Sequence, residues 1–259
     1  MNYGVVKSPI DIRDYRIKPS SKTVIPATFQ LDYIPKVKNQ HSVNSCVAHV
    51  ASSIAEYYEY MQCESKEQLS PGFIYGTRYE YKDEGMYLRD ALKTLAKTGI
   101  CLEKTFPYNE EVPTIISKVN SKVFDEQELN HRRISTYFRL ENADEIKEAL
   151  LKYGPVMISV AWYDDNYTRD GILLKEGKPT GYHCLYVYGW NEEGFLFQNS
   201  WGDWWGDDGK AVLPYSYSIM EAFGVSDTNI EDHLVTKKRS KFLDFLYKLL
   251  NRLLNMFTK

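Results

Sequence analysis

The apolar residues of this chain change their spacing along its length, from a helical period in the first half to continuous runs in the second. Over residues 44–61 they recur every three or four positions, which predicts an amphipathic helix capped by Asn44 or Ser45. Two further helices are predicted over 67–80 and 87–98. The first half should therefore form a helical unit.

The second half carries apolar runs typical of buried strands. They lie at 156–162, 184–190 and 195–198, and the polar residues 191–194 form a turn between the last two. A capping box predicts a short helix over 142–151 before the first of these strands. Helices first and strands second predict an α+β protein with two lobes.

Composition excludes several classes of function. The net charge of −3 over 259 residues gives no overall basis for nucleic acid binding. Among the four cysteines there is no CxxC pair, so we expect no structural zinc, and no cofactor is indicated. Neither a signal peptide nor a run of about 18 apolar residues is found. We therefore expect a cytoplasmic protein with free thiols.

Four polar groups in a fixed order point to thiol chemistry. Gln40 precedes Cys46 by six residues, His183 follows Cys46 by 137 residues, and Asn199 follows after sixteen more. A thiol nucleophile needs a base, the base needs an orienting partner, and the developing oxyanion needs hydrogen-bond donors. Cys46 falls in the first turn of the predicted helix, where the helix dipole should lower the thiol pKa. A lone cysteine is usually a small buried hydrophobe, so the prediction rests on the whole set.

Three segments resemble the papain family of cysteine peptidases, and Asp11-x-Arg13-Asp14-Tyr15 resembles its bacterial members. These segments are residues 37–46 around the cysteine, 181–190 around the histidine and 198–209 around the asparagine. The resemblance implies a papain-like two-lobe α+β fold with the active site in the cleft between the lobes. The implied domains are an extended arm (1–24), a peptidase domain (25–232) and a C-terminal helix (233–259), with a helical lobe at about 25–115 and an antiparallel β-barrel-like lobe at about 116–232.

The resemblance also implies roles for the catalytic residues. Cys46 would be the nucleophile, and His183 would pair with it and then protonate the leaving amine. Asn199 would orient the imidazole, while Trp201 would shield their contact from water. Gln40 and the backbone N–H of Cys46 would form the oxyanion hole.

Further residues are expected to contact a peptide or protein substrate. Gly85 would bind the substrate backbone, and Met86 or Tyr87 would wall a hydrophobic pocket. Trp205 would flank the leaving-group side of the cleft. Asn44 and Tyr182, the neighbours of the two catalytic segments, complete the expected substrate-binding set.

The chain departs from the family's pattern around the nucleophile. Val43 replaces a disulfide cysteine, Val47 replaces a tryptophan, and His41 and Asn44 replace glycines. Asn44 tolerates left-handed backbone angles, so the turn can survive. Only about 24 residues precede the mature-like start at Ile25-Pro26, so we expect no long inhibitory propeptide and either another form of control or a selective cleft that needs none.

The C-terminal segment 237–259 is basic and amphipathic. Its apolar residues follow helical spacing, and Asp244 is its single acidic residue. Three interpretations remain: binding to an anionic membrane surface, binding in a groove of a partner protein, or packing on the protein's own surface.

Three functions of the whole chain are compatible with these sequence features. The first is an active peptidase, and the second is a catalytically inactive papain-like module used for binding. The third is a Cys-His acyltransferase, whose third catalytic member is usually Asp rather than Asn. The complete set of Cys46, His183, Asn199 and Gln40 favours the peptidase.

Overall fold

The computed structural model describes residues 4–9, 11, 14–16, 23–78, 85–109, 111–163, 167–169, 171–174 and 178–227. The predicted C-terminal helix lies outside the described residues, as do residues 79–84, which include the end of the predicted second helix. Within the described ranges, no helix is long and apolar enough to cross a membrane.

Six helices occur in the described part of the chain. The three predicted in the first half are confirmed as α1, α2 and α3, and the capping-box helix is confirmed as α6. Asn142 Oδ1 caps α6 by accepting from the Glu145 N–H at 2.9 Å. The sequence analysis missed α4 and α5. The bounds are α1 Cys46–Cys63, α2 Pro71–Gly76, α3 Leu88–Lys97, α4 Val112–Ser121, α5 Glu126–His131 and α6 Ala143–Lys152.

Nine strands occur in the described residues and join one sheet. The three predicted strands are confirmed as β3, β6 and β7, and the other six strands were not predicted. The bounds are β1 Phe29–Gln30, β2 Thr136–Leu140, β3 Val156–Tyr163, β4 Tyr167–Arg169, β5 Ile172–Leu174, β6 Pro179–Trp190, β7 Gly194–Gln198, β8 Lys210–Pro214 and β9 Ile219–Ser226.

The sheet is mostly antiparallel and is centred on β3 and β6. Its order is β2-β9-β3-β6-β7-β8-β5-β4, with β1 added to β6 and with β5 and β8 parallel. In the β3/β6 register, Val160 lies opposite His183. The turn at 191–194 forms as expected, because the Asn191 side chain accepts from the N–H groups of Glu193 and Gly194 at 3.0 Å.

Two buried clusters meet at β6. Cys184, Tyr186 and Tyr188 belong to the cluster that contains α1, whereas Leu185 and Val187 belong to the cluster on the other side of the sheet. This alternation follows from the two-residue period of a strand. The helical and sheet parts of the fold therefore share β6, the strand that carries His183, while the exact boundary between lobes stays a prediction.

Candidate active site

Cys46 lies where the start of α1 meets β6. It is the first residue of the helix, and its side chain is fully buried. The backbone N–H of Cys184 on β6 lies within hydrogen-bonding reach of the Cys46 thiol. Ser45 holds the N-cap position without a capping hydrogen bond, because its hydroxyl instead contacts Tyr108 Oη at 2.8 Å. The tertiary fold thus brings the thiol next to the strand position of His183.

His183 and Asn199 are hydrogen-bonded to each other. His183 Nε2 lies 2.7 Å from Asn199 Oδ1, and the Ser200 N–H donates to the same oxygen at 2.8 Å. Since an amide oxygen only accepts, the proton of the neutral imidazole resides on Nε2. His183 Nδ1 is buried without a hydrogen-bond partner among the described residues, so it keeps a lone pair available for a proton.

Aromatic rings enclose the histidine. The Trp201 ring stacks on His183 with centroids 4.7 Å apart and an interplanar angle of 29°. Trp162 packs edge-on against the same ring at 4.9 Å. Burial lowers the pKa of His183 to about 4, and the hydrogen bond to Asn199 acts in the opposite direction. The sequence predicts no role for Trp162, because nothing near the end of a buried strand indicates which ring of the folded protein that residue will contact.

Gln40 is locked against the asparagine segment. Ser200 Oγ donates to Gln40 Oε1 at 2.6 Å, and the Gln40 backbone N–H donates to the Ser200 carbonyl at 2.8 Å. Gln40 Nε2 donates to the Val43 carbonyl at 2.8 Å in the loop before Cys46. These contacts orient the amide with its N–H groups on the nucleophile side. Ser200 lies within the 198–209 segment, but no role is predicted for it from the sequence, although its position directly after Asn199 could have suggested one.

The loop before Cys46 takes its left-handed angle at a different residue from the one expected. His41 has φ 49°, and Asn44 does not adopt a positive φ. Histidine is among the residues that tolerate this region. His41 is exposed, as expected. His49 is buried against Tyr108 at 4.7 Å, so it packs rather than joining the catalytic set.

The N-terminal arm crosses this site. The Met86 N–H donates to the Gly4 carbonyl at 2.8 Å, and the Val6 N–H donates to the Met86 carbonyl at 3.1 Å. The Val5 N–H donates to the Tyr182 carbonyl at 3.2 Å. The backbone N–H of Gly4 also lies in hydrogen-bonding reach of the Cys46 thiol. An extended segment of the chain therefore occupies the position expected for a peptide substrate.

Met86, and not Gly85, forms backbone hydrogen bonds with the arm, while substrate binding by Gly85 stays a prediction. The Gly85 N–H donates to Tyr75 Oη at 3.3 Å, and its carbonyl accepts from Arg78 Nη1 at 2.7 Å. Gly85 has φ 115° and its missing Cβ leaves room for Val6, so its contribution is space and backbone direction. The backbone N–H and carbonyl of Gly85 do not bind the arm because the side chains of Tyr75 and Arg78, which lie outside the sequence motifs, already bond to them.

The remaining substrate candidates lie around the same cleft. Met86 is buried and Tyr87 is half-buried at the start of α3, while Asn44 is half-buried and meets the arm at Gly4. Tyr182 is exposed, and its carbonyl binds the arm. Trp205 is buried against Trp201 at 5.7 Å, whereas its neighbour Trp204 is 68% exposed.

The thiol of Cys46 is protonated in this arrangement. Burial raises its pKa to about 11, while the backbone N–H groups of Cys184, Gly4 and Val47 act in the opposite direction. The sequence analysis expected a lowered pKa from the helix start. The direction is reversed because the arm and the cores on both sides exclude water, and desolvation penalises the thiolate more than the N–H groups stabilise it.

The thiols of the other three cysteines have no assigned role, although the backbone N–H of Cys184 contacts the Cys46 thiol. Cys101 and Cys184 are buried, Cys63 is exposed, and all four thiols are free. Val43, at the position of a disulfide cysteine in the family's pattern, is buried.

Comparison with known proteins identifies one family over most of the chain. The model of the papain family cysteine proteases matches residues 27–227. An uncharacterized peptidase C1-like protein of Acanthamoeba polyphaga mimivirus is 23% identical, over 85% of this chain and 83% of that protein. A cysteine protease of Blomia tropicalis is 24% identical, over 72% of this chain and 60% of the relative's own length.

Solved structures share the fold. Xylellain, a cysteine protease from Xylella fastidiosa, superposes with a TM-score of 0.76 and 23% sequence identity, covering 88% of this chain and 96% of that one. The predicted papain-like α+β architecture is therefore confirmed.

Proposed function

Because the chain belongs to the papain family of cysteine proteases and is a cysteine-type peptidase, we propose that Cys46 is its nucleophile and His183 its general base and acid. The observation that carries this assignment is the 2.7 Å hydrogen bond between His183 Nε2 and Asn199 Oδ1. It leaves Nδ1 as the basic nitrogen, at the junction where α1 delivers the thiol.

The first half of the reaction forms an acyl-enzyme. His183 Nδ1 takes the proton of the Cys46 thiol, and the thiolate sulfur attacks the carbonyl carbon of the scissile peptide bond. The same Nδ1–H then protonates the leaving amine as the C–N bond breaks, so a thioester remains on Cys46. In the second half, His183 removes a proton from water, which attacks the thioester and returns the thiol.

Gln40 and the Cys46 backbone N–H stabilise the oxyanion in both halves. The Gln40 amide is held by Ser200 from one side and by the Val43 carbonyl from the other, which makes it a preorganised donor. A donor that is already oriented needs no reorganisation when charge develops on the carbonyl oxygen.

The substrate is a peptide or protein in extended conformation. Met86 and Tyr182 already bind an extended backbone, that of Gly4–Val6, through three hydrogen bonds. A substrate that replaces the arm uses the same N–H and carbonyl groups, with Tyr87 and Asn44 beside it. Trp205, behind Trp201, supports the leaving-group side.

The arm keeps the peptidase latent. The backbone N–H of Gly4 lies within hydrogen-bonding reach of the Cys46 thiol, so the seated arm fills the space that a substrate needs to reach the nucleophile. Its residence also maintains the burial that raises the thiol pKa to about 11. Displacement of the arm both opens the cleft and restores solvent to the thiol.

The C-terminal segment is proposed to act as a separate docking element. Its basic residues and apolar stripe, 237–259, suit an anionic membrane surface, in a cytoplasmic protein with free thiols. Flotation of the full chain with anionic liposomes, compared with a chain ending at residue 235, tests this idea. Equal flotation of both proteins would contradict it.

Covalent labelling tests the catalytic assignment. An epoxide thiol-peptidase probe should attach to wild-type protein and should not attach to Cys46→Ala. Cys101→Ala is the matched control, because it removes another buried cysteine and should leave labelling unchanged. Hydrolysis of a peptide library by the same three proteins should follow the same pattern. Labelling of Cys46→Ala at the wild-type rate would refute the assignment.

A further inference from the structure

A second binding site holds the arm outside the catalytic cleft. Arg89, on α3, donates Nε and Nη2 to the two carboxylate oxygens of Asp14 at 2.9 and 2.6 Å. Its Nη1 donates to the Pro9 carbonyl at 2.7 Å. All three hydrogen bonds of the Arg89 guanidinium within the described residues thus go to the arm.

Arg139, on β2, completes this site. Its Nη1 lies 3.9 Å from Asp14 Oδ2 and 3.5 Å from Glu221 Oε1. The guanidinium carbons of Arg89 and Arg139 lie 6.0 and 5.7 Å from the centre of the Phe223 ring. We call Arg89, Arg139 and Phe223 the arginine cradle. Two guanidinium groups on an aromatic floor form a site for a carboxylate.

The cradle is largely shielded from water. The side chains of Arg89, Asp14 and Arg139 are 13%, 7% and 17% exposed. A bidentate, shielded contact of this kind is stronger than an exposed ion pair. The arm offers such a pair for comparison, because Arg16 and Glu141 lie 3.3 Å apart with side chains 63% and 45% exposed.

Backbone pairing fixes the direction of the arm across the cradle. The Arg139 N–H donates to the Tyr15 carbonyl at 2.9 Å, and Arg16 forms a bridge with Arg139 on the outer edge of β2. Between this edge and the cleft, the Ser8 N–H donates to Glu221 Oε2 at 3.1 Å. The cradle therefore recognises an aspartate of the Asp11-x-Arg13-Asp14-Tyr15 motif, which the catalytic site does not use, and the Asp14 N–H donates to the Asp11 carbonyl at 3.1 Å.

We propose that the arginine cradle is a binding site for an acidic peptide segment and that its grip on Asp14 keeps Gly4 over Cys46. The inference rests on the proposed peptidase function and names the regulation of that site. Within the described residues, three backbone–backbone hydrogen bonds, with Met86 and Tyr182, and the contact of the Gly4 N–H with the Cys46 thiol hold the cleft portion of the arm. Anchoring at the cradle gives this weakly held portion a high effective concentration at the cleft. An acidic peptide that competes for the cradle releases the arm and opens the site.

The test uses the full-length chain and the epoxide probe. Asp14→Asn should be labelled at Cys46 roughly 10- to 100-fold faster than wild type, because a charge-assisted bidentate contact is lost. Arg16→Gln, which removes only the exposed pair on the same arm, should match wild type. A free peptide copying residues 9–16 should accelerate labelling of wild type, and the same peptide with Asp14→Asn should not.

Two further measurements separate this proposal from the peptidase assignment. Gly4→Ala disturbs the cleft portion directly, so labelling of Gly4→Ala with unchanged labelling of Asp14→Asn would overturn the cradle and leave the peptidase intact. Absence of labelling in every variant would instead count against the peptidase. In that case the rate of trypsin cleavage at the exposed Lys7 still measures how firmly the arm is held. Faster cleavage in Asp14→Asn supports anchoring of the arm at the cradle, and an unchanged rate overturns it.

Discussion

Replacing Gly4 with alanine should expel the arm from the cleft, because the added methyl group has no space. A Cβ at residue 4 would lie 2.1 Å from the Asn44 carbonyl oxygen and 2.4 Å from its carbonyl carbon. Ordinary carbon contacts lie at about 3.5–4.0 Å, so the overlap exceeds 1 Å by rough count. Both atoms are backbone, and no side-chain rotation relieves the clash.

The size of the effect follows from the cost of overpacking. Inserting a methyl group into a packed site costs about 1–3 kcal/mol. That penalty lowers the occupancy of the cleft by the arm by roughly 5- to 150-fold. Gly4 does not have a positive φ, so alanine can adopt its backbone angles elsewhere. The loss of occupancy should therefore arise from the clash with Asn44 in the cleft and not from a change in the conformation of the free arm.

Labelling of Cys46 as a function of pH measures the change. With the thiol pKa raised to about 11 by burial, only about one thiol in 10⁴ is ionised at pH 7 in the closed state. Wild-type labelling should keep rising by about tenfold per pH unit past pH 9. Gly4→Ala should be labelled faster at pH 7, and its rate should level off at lower pH because solvent returns to the thiol.

Lys7→Ala is the matched control on the same arm. Its side chain is exposed, so truncation removes no contact in the cleft, and labelling should match wild type. If Gly4→Ala and wild type show the same labelling rate and the same pH profile, the arm does not control access to Cys46 and the argument from space is refuted.

Three further predictions concern the groups around the thiol. The first two are tested in the Gly4→Ala background, in which the arm is expelled from the cleft. Ser200→Ala should lower kcat about 5- to 100-fold with little change in KM, because the buried Gln40 amide loses its 2.6 Å donor; unchanged kcat contradicts this. Asn199→Ala should lower kcat/KM by at least about tenfold, since the imidazole of His183 loses its acceptor; a change below twofold argues against it. Burial lowers the pKa of His49 from its ordinary value of 6.5 to about 3. Between these two pH values, His49 is protonated in the unfolded chain and neutral in the folded chain. Between pH 6 and 4, wild type should therefore lose about 1.4 kcal/mol of stability per pH unit more than His49→Gln in urea unfolding, and equal slopes would contradict this.

Ser52→Ala provides the control for the serine prediction. Its hydroxyl is buried and donates at 2.8 Å to the His49 carbonyl within α1, three residues earlier. It removes the same atom from a buried site without affecting the amide of Gln40. A similar loss of kcat in both variants would indicate a general packing effect instead of oxyanion positioning.

The elements that could be predicted from sequence are those that local residues determine. The helix from Cys46 follows from its apolar spacing, and the cap of α6 follows from Asn142 and Glu145 three residues apart. The buried strands at 156 and 184 follow from continuous apolar runs. Helix α5 could not be predicted because Leu129 is its one apolar residue, and α4 because half of its residues are β-branched, which favours strands. The short strands could not be predicted because only pairing partners define them.

The candidate site divides in the same way. The sequence by itself determined the four candidate catalytic residues and their order, because each lies in a short motif whose chemistry can be recognised without coordinates. Only the tertiary structure decided the protonation state of Cys46, since desolvation depends on what covers the thiol and overrides the helix dipole. It also decided that Gly4 lies beside the thiol, that Met86 pairs with the backbone of the arm, and that Asp14 lies between two arginines. These contacts join residues far apart in sequence, and packing between the lobes creates them.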